Sequence, residues 1–262
     1  MFCGCRICEN ARRLGGHDIR NRSMAVLNHE LCIDLPCDAR SSFLEYRHDA
    51  RKIRYVIVTH NHYDHFMAEN LLTRPEGFRP VELFVSRESG RELAEKCEKL
   101  RASQGEKSMR PVICPAVHFV EPFCPVEFAG YSIFPLPANH APQLGALNYA
   151  ITTQGKAILW LHDTGFPFEK TLRALENLKI YFDLVSMDCS LETGTLPGKD
   201  HMDILQCART AEKLRSMKCA DDNTVFCLSH IGHLVNRTHE ELQQEANKFG
   251  FQVAYDGMEI NL

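Results

Sequence analysis

Four side chains that can bind metal ions fall within six residues, at His60, His62, Asp64 and His65. The apolar, β-branched stretch 55–58 runs directly into them, so they are predicted to project from the end of a strand into a loop. His60 and His62 are two residues apart and share one side of an extended chain. Asp64 and His65 are adjacent and, in a turn, can point at a second position. Imidazole and carboxylate together suit zinc, manganese or iron, so this run predicts a metal site.

Three later residues can complete two coordination spheres, namely His140, Asp163 and His230. Asp163 follows the apolar run 158–161, and His230 follows the apolar run 225–228. Both are therefore predicted to lie at the carboxyl end of a strand. Each of the three, taken alone, is more typical of a structural residue. The cluster described above reverses that interpretation and favours metal binding.

A second group of metal-binding residue types lies at the amino terminus, where Cys3, Cys5 and Cys8 form a C-x-C-x-x-C pattern. Three thiolates need one further ligand to form a tetrahedral structural zinc site. His233, three residues after His230, is the predicted fourth ligand. Such a zinc would join the amino terminus to the loop that carries His230 and would help to orient that side chain. The alternative is a set of free thiols at a frayed terminus.

Short apolar runs bounded by turn residues predict the strands that must position these groups. The predicted strands are 24–27, 31–35, 55–59, 81–85, 157–161, 184–187, 225–228 and 251–255. The predicted helices lie near 90–102, 168–178, 203–217 and 238–249. The last begins with Thr238, followed three residues later by Glu241, which suits a capping box. Strands dominate the first half and alternate with helices in the second, which favours layered sheets covered by helices.

One domain is predicted for residues 1–262, because no linker-like change in composition divides the chain and its length suits one large domain. Within this domain we distinguish an amino-terminal zinc-binding segment, residues 1–10. We also predict a peripheral insertion over roughly 74–125, which is rich in charge and proline and contains few candidate ligands.

The overall composition excludes several classes of protein. A formal net charge of −4 gives no electrostatic reason to expect nucleic-acid binding. No apolar run approaches the roughly 18 residues needed to span a bilayer, and the amino terminus lacks the apolar core of a secretory signal. We therefore expect no membrane partner and a cytoplasmic location. Several of the twelve cysteines lie in or beside apolar runs, which indicates reduced thiols rather than disulfides.

The run at 60–65 matches the HxHxDH motif, and the chain resembles the metallo-β-lactamase superfamily over essentially its whole length. The resemblance implies an α/β (α+β) fold, a four-layer αββα sandwich with two divalent metal ions, zinc or manganese, at one edge of the paired sheets. The ligands that it implies are His60, His62 and His140 for one ion, Asp64, His65 and His230 for the other, and Asp163 as the bridge.

The cysteine pattern, the HxxH at 230–233 and the carboxyl-terminal segment 255–260 resemble one branch, the phosphoribosyl 1,2-cyclic phosphate phosphodiesterases. This resemblance implies one structural zinc on Cys3, Cys5, Cys8 and His233. Members of the branch usually begin with a strand before the cysteines, whereas Cys3 is the third residue of this sequence. Either that strand is missing, or the true start lies further upstream.

The resemblance implies a phosphodiesterase that opens a cyclic ribose phosphate by attack of a hydroxide bridging the metals, with Asp64 among the catalytic residues. The leaving ribose oxygen needs a proton, and His201 is the predicted general acid, since the branch has a catalytic histidine in this region. An ordinary residue at a helix start is the alternative for His201. Arg22 and Ser23 are candidates for binding phosphate or ribose, and a plain surface arginine is the alternative for Arg22.

Other hydrolases of the same fold remain as alternatives. The tRNA 3′-processing nucleases usually carry a flexible basic arm, and no such segment appears here. Thioesterases of the glyoxalase II type use nearly the same ligands, but the amino-terminal zinc cluster disfavours them. His62 disfavours a di-iron redox centre, and the complete ligand set disfavours a non-catalytic scaffold. The expected partner is a small-molecule phosphodiester, and a homodimer is left open.

Overall fold

A computed structural model describes residues 3–72, 80–103, 114–194 and 200–262. The described residues form two compact units. We name them by their sheets. The five-stranded unit comprises Arg22–Glu121 and Gln143–Leu147, and the seven-stranded unit comprises Met1–Asn21, Pro122–Pro142 and Asn148–Leu262.

The five-stranded unit has the strand order β1-β2-β3-β4-β5. Strand β1 is antiparallel to β2, and the remaining neighbours are parallel. Its strands are β1 (Ala25–Leu27), β2 (Leu31–Ile33), β3 (Tyr55–Ile57), β4 (Glu82–Val85) and β5 (Ala116–Phe119). Its helices are α2 (Ala39–Glu45), α3 (Glu69–Leu72) and α4 (Arg87–Ser103).

The centre of this sheet is almost completely apolar. Cys32, Val56 and Leu83 lie in register on β2, β3 and β4, and all three are fully buried. Strands of parallel sheets are buried on both faces, which explains why β3 reads as a continuous apolar run. The sheet therefore fixes the carboxyl end of β3, from which the histidine-rich loop departs.

The seven-stranded unit has the strand order β12-β11-β10-β9-β8-β7-β6. Strands β9 to β12 are parallel neighbours, whereas β8 is antiparallel to β9 and β6 is antiparallel to β7. Its strands are β6 (Val126–Phe128), β7 (Tyr131–Pro137), β8 (Leu147–Thr153), β9 (Lys156–Leu161), β10 (Leu184–Asp188), β11 (Val225–Ser229) and β12 (Gln252–Val253). Its helices are α1 (Arg6–Leu14), α5 (Glu169–Leu178), α6 (Ile204–Ser216) and α7 (His239–Ala246).

Two helices of this unit begin with capping boxes, in which a side chain at the helix start accepts a backbone N–H three residues later. Thr238 accepts from the N–H of Glu241 at the start of α7, as the sequence predicts, and Asp203 accepts from Gln206 at the start of α6. These contacts satisfy N–H groups that have no partner within the helix, so they fix where α6 and α7 begin.

The eight predicted strands and four predicted helices are all present, with shifts of a few residues at their ends. Helices α1 to α3 and strands β5 to β8 are not predicted from the pattern. Strand β7 contains Pro135 and ends at Pro137, and proline weakens a strand signal because it cannot donate to a ladder. The residues of β5 are all exposed, so their pattern shows no buried side.

The insertion predicted over roughly 74–125 includes residues 74–79 and 104–113, which lie outside the described residues. Its described part supplies β4, α4 and β5 to the five-stranded unit. The single-domain assignment stays a prediction. Within the described residues, no helix combines the length and apolarity that crossing a bilayer would require.

Candidate metal centre

The histidine-rich loop of the five-stranded unit is anchored to the buried carboxylate of Asp34. Asp34 directly follows β2, and its Oδ1 accepts hydrogen bonds from the backbone N–H of Thr59 at 2.8 Å and from the Thr59 hydroxyl at 3.0 Å. Its Oδ2 lies 2.7 Å from Nδ1 of His65, and both side chains are fully buried. A carboxylate that holds Nδ1 orients the ring and leaves Nε2 for a metal ion. His65 is thus placed as a metal ligand would be.

The preceding histidines of the same loop lie next to each other. Nε2 of His60 is 2.8 Å from Nδ1 of His62, a separation that one ion with metal–nitrogen distances of about 2.0–2.1 Å can span. The N–H groups of His65 and Phe66 both donate to the carbonyl of His62, so the loop closes into a tight turn. Asp64, in the middle of this turn, is partly exposed. The donors fit the predicted metal site.

In the seven-stranded unit, three acidic or imidazole side chains meet at one edge of the sheet. Asp163 follows β9, Asp188 ends β10 and His230 follows β11. Because the strands are parallel neighbours, their carboxyl ends lie at the same edge. Asp163 and His230 both adopt positive φ angles, 45° and 54°, which cost non-glycine residues about 1–3 kcal/mol each and are concentrated at functional sites.

The contacts at this edge have the separations of a ligand cluster. Nε2 of His230 is 2.8 Å from Oδ1 of Asp163, and Nε2 of His140 is 3.4 Å from Oδ2 of Asp163. One ligand atom each of Asp163, Asp188, His201 and His230 can be chosen so that all four lie within 4.8 Å of one another. These imidazole and carboxylate donors suit the same divalent ions as the histidine-rich loop.

Asp188 connects two of these histidines and is completely buried. Its Oδ2 is 2.9 Å from Nδ1 of His201 and 3.4 Å from Nδ1 of His230, and its Oδ1 accepts from the Ser190 hydroxyl. Burial alone would raise the pKa of Asp188, but the hydrogen bonds with His201 and His230 outweigh it and hold that pKa well below its ordinary value. Burial lowers the pKa of His201, and the contact with Asp188 reverses this and raises it.

The four residues predicted to bind a structural zinc ion lie close together within the seven-stranded unit. Ligand atoms of Cys3, Cys5, Cys8 and His233 all lie within 4.8 Å of one another. Nδ1 of His233 is 3.6 Å from Sγ of Cys5 and 3.4 Å from Sγ of Cys8. In a tetrahedral site with Zn–S of about 2.3 Å and Zn–N of about 2.0 Å, sulfur and nitrogen are about 3.5 Å apart. The N–H of Cys8 and the ring of His233 lower the pKa of the Cys5 thiol to about 6, whereas burial and the neighbouring cysteines raise the pKa of the Cys8 thiol to about 11.

Helix α1, which begins directly after Cys5, is held to α7 by charged contacts. Arg6 donates to both carboxylate oxygens of Glu241 at 3.0 Å and to the carbonyl of Asn236 at 2.8 Å. Arg20 donates to the carbonyls of Gly232 and Arg237 at 3.1 and 3.0 Å. These contacts hold the amino-terminal segment against the loop that follows β11.

Arg22 and Ser23, the candidate phosphate or ribose ligands, lie in the five-stranded unit just before β1. Nη1 of Arg22 donates to Oδ2 of Asp38 at 3.0 Å, and its guanidinium lies 5.2 Å from the centre of the Tyr63 ring. Arg22 is thus next to the histidine-rich loop, with a carboxylate partner already in place. A role of Ser23 in binding stays a prediction.

Two residues of this arrangement, Asp34 and Asp188, are not identified from the sequence as positioning groups. Each is the single acidic residue at the carboxyl end of an apolar run, and that is the signal that marks it. The partners that reveal their roles are distant in the chain, 31 residues for Asp34 and His65 and 13 residues for Asp188 and His201.

The profile of the β-lactamase superfamily domain matches residues 33–231, which is most of the chain. The chain belongs to the metallo-β-lactamase superfamily. Its fold class is therefore the predicted one, a mixed α/β fold with two sheets flanked by helices. No curated protein matches the sequence.

Solved structures of this superfamily resemble the chain over nearly its whole length. A diphosphatase of the PhnP family covers 99% of this chain and 90% of its own, with a TM-score of 0.72 and 20% identity. The match to the short form of human tRNase Z covers 92% of this chain and 93% of the tRNase Z chain, with a TM-score of 0.67 and 16% identity. The match to Zn(2+)-bound PqqB from Methylobacterium extorquens covers 100% of this chain and 94% of the PqqB chain, with a TM-score of 0.67 and 18% identity. By its family, the protein is a metal-dependent hydrolase. Within that family, it resembles the PhnP branch.

Proposed function

We propose that this metallo-β-lactamase-fold hydrolase is a phosphodiesterase with two active-site metal ions, and that its substrate is a cyclic ribose phosphate. The observation that carries the proposal is the association of two metal-binding groups in one chain. The HxHxDH loop supplies the ligands typical of the hydrolase, and the Cys3, Cys5, Cys8 and His233 cluster is the feature typical of the phosphodiesterase branch.

The proposed ligands of the two active-site ions come from the resemblance. Two divalent cations held by such ligands would supply positive charge that neutralises phosphate oxygens, and would lower the pKa of a bound water molecule. The proposed ligands are His60, His62, Asp64, His65, His140, Asp163 and His230.

We assign His201 as the general acid that protonates the departing ribose oxygen. Its Nδ1 is held by the buried carboxylate of Asp188 at 2.9 Å, and its side chain is 30% exposed, so the ring is both oriented and accessible. The Cys₃His zinc would act on structure, by holding the loop between His230 and His233.

A substrate screen with metal-loaded protein tests the proposal. The assay compares a five-membered cyclic ribose phosphate, an acyclic phosphodiester, an acyl-glutathione thioester and a tRNA precursor. We expect hydrolysis of the cyclic ribose phosphate at a kcat/KM well above that of the thioester. Cleavage of the thioester without any phosphodiester would make the substrate assignment wrong. Efficient 3′ processing of the tRNA precursor would favour the nuclease alternative.

The small-molecule partner, the absence of nucleic-acid and membrane partners, the cytoplasmic location and the homodimer question stay as expectations from the sequence. The identity of the active-site metal, zinc or manganese, is part of the same proposal. Metal analysis of the purified protein tests the identity of the metal, and the mass of the protein in solution tests the homodimer.

A further inference from the structure

Asp203 is a buried carboxylate that the proposed mechanism does not use. It directly precedes α6, stands two residues after His201, and is only 3% exposed. Burying a carboxylate is costly unless hydrogen bonds satisfy its oxygens. Capping a helix needs one acceptor oxygen, and asparagine or serine provides it as well as aspartate does. The second carboxylate oxygen at this position therefore points to a role beyond the helix cap.

Each oxygen of Asp203 accepts one backbone N–H group. Oδ1 accepts from Gln206 at 2.8 Å, which caps α6. Oδ2 accepts from Gly194 at 2.9 Å, nine residues earlier in the chain. Beside this contact, the N–H of Leu191 donates to the carbonyl of Met202 at 3.1 Å. The segment after β10 is thus fastened, by one side-chain and one backbone contact, to the two residues that follow the proposed general acid.

The segment 190–194 is also tied to the carboxylate that orients the proposed general acid. The N–H and the hydroxyl of Ser190 donate to Oδ1 of Asp188 at 3.0 and 2.8 Å. The other oxygen of Asp188, Oδ2, lies 2.9 Å from Nδ1 of His201. The segment that Asp203 fastens therefore begins at the residue that contacts the ring, and His201 lies between the two fastened parts of the chain.

A general acid must hold its proton within hydrogen-bond reach of the leaving oxygen, and a displacement of about 1 Å can cost about 100-fold in rate. The side chain of His201 is 30% exposed, so packing restrains only part of it. Its position depends on the contact with Asp188 and on the chain that carries it. Asp203 holds that chain on its carboxyl side.

We propose that Asp203 is a positioning residue for the general acid, because it fastens the segment after β10 to the start of α6 and so keeps the ring of His201 on Asp188. This inference rests on the proposed function, since it names a residue that supports the acid of the same site. Asp203 itself donates no proton and binds no metal ion in this assignment.

Replacing Asp203 by asparagine separates the helix cap from the contact with the loop. An amide has one acceptor oxygen, so Asp203→Asn can accept only one of the two N–H groups. We expect it to keep the cap, for which asparagine is well suited, and to lose the contact with Gly194. Asp203→Ser, which also offers one capping oxygen, should behave in the same way. Gln206→Ala removes the acceptor of the Asp203 N–H at the same helix end and is the matched control.

Two phosphodiesters with different leaving groups provide the measurement. A ribose alkoxide needs a proton as it departs, whereas p-nitrophenolate is stable as an anion. In metal-loaded Asp203→Asn we expect kcat on the cyclic ribose phosphate to fall about 10- to 100-fold, less than a general acid can contribute because the imidazole is still present. On bis(p-nitrophenyl) phosphate we expect less than about a twofold change, because that reaction needs no acid. Gln206→Ala should change neither rate.

The ratio of the two losses separates positioning of the acid from a general structural role. A variant that merely disturbs the fold or the metal ions should lose activity on both diesters alike. Equal losses in Asp203→Asn, or no loss on the cyclic ribose phosphate, would therefore overturn the inference.

A crystal structure of Asp203→Asn gives a readout that does not depend on turnover. We expect α6 to begin at the same residue and the 2.9 Å contact between Nδ1 of His201 and Oδ2 of Asp188 to be lost. A variant that keeps this contact would overturn the inference. If the unaltered protein hydrolyses neither diester, the proposed function fails, and this structural comparison alone then decides whether Asp203 positions His201.

Discussion

The five-stranded unit takes its metal-binding side chains from one loop after one strand, whereas the seven-stranded unit collects them after several strands. Both units nevertheless use the same device. A buried carboxylate at a strand end, Asp34 in one and Asp188 in the other, contacts Nδ1 of a histidine at 2.7 or 2.9 Å. The comparison shows that ligands close in sequence and ligands far apart in sequence need the same positioning contacts.

The two carboxylates differ in what they orient. Asp34 contacts His65, a proposed metal ligand, and Thr59. Asp188 contacts both His230, a proposed ligand, and His201, the proposed acid. The first is therefore expected to act on metal binding, and the second on metal binding and on proton transfer.

The largest expected effect comes from removing one proposed ligand in each unit. Asp64→Ala and Asp163→Ala should each lower kcat/KM at least about thousandfold, since metal ions contribute several kcal/mol to transition-state stabilisation. Asp49→Ala and Asp222→Ala, at exposed or partly exposed carboxylates away from both clusters, are the matched controls. If either ligand variant had a normal circular dichroism spectrum and near-normal turnover, that result would contradict the proposed two-metal site.

The next effect separates the two buried carboxylates. Asp34→Asn should weaken binding of active-site metal about 10- to 100-fold, because His65 loses its charged partner. Asp188→Asn should also lower kcat in protein saturated with metal, since His201 loses its orientation. Metal titration followed by kinetics at saturating metal measures both quantities. If the two variants had the same kcat at saturating metal, His201 would not be the general acid.

The zinc cluster of the seven-stranded unit should affect stability more than chemistry. Cys5→Ser and His233→Ala should each lose one zinc per chain and lower Tm, because a structural zinc contributes its binding energy to folding. A loss of about 2 kcal/mol corresponds to about 4–8 °C for a chain of this size. Calorimetry with metal analysis checks this, and Cys124→Ser, at an exposed cysteine outside the cluster, is the control. Unchanged zinc content in both variants would contradict the cluster.

The smallest effect concerns the contact between α1 and α7. The hydrogen bonds from Arg6 and from the N–H of Thr238 lower the pKa of Glu241 from 4.5 to about 2. Because the pKa of this carboxylate is lower in the folded protein than in the unfolded chain, its contact stabilises the fold at pH values above the ordinary pKa. That contribution disappears as the pH falls from about 4.5 towards 2. Because the side chains of Arg6 and Glu241 are about half exposed, we expect their contact to add less than about 1 kcal/mol to the free energy of unfolding. Glu241→Gln should lower Tm slightly at pH 7, and the difference should vanish near pH 2; a constant difference would contradict it.

The sequence predicts much of the fold because β3, β9, β10 and β11 are apolar runs with clear ends. It predicts the histidine-rich loop because four ligand types fall within six residues. It does not predict α1, whose nine residues bury a single side chain, Ile7. Nor does it identify Asp34 and Asp188, because a carboxylate shows its role only through partners that the fold brings close.

Metal content measured alongside phosphodiesterase activity tests the central claim most directly. Protein prepared under reducing conditions with zinc or manganese supplied should contain three ions per chain. Mild chelation should remove two of them together with the activity on a cyclic ribose phosphate, and the third should remain until Cys5 is replaced, because closed Cys₃His sites release zinc slowly. Full activity after both removable ions are gone, or a preparation that never binds more than one ion, would contradict the account.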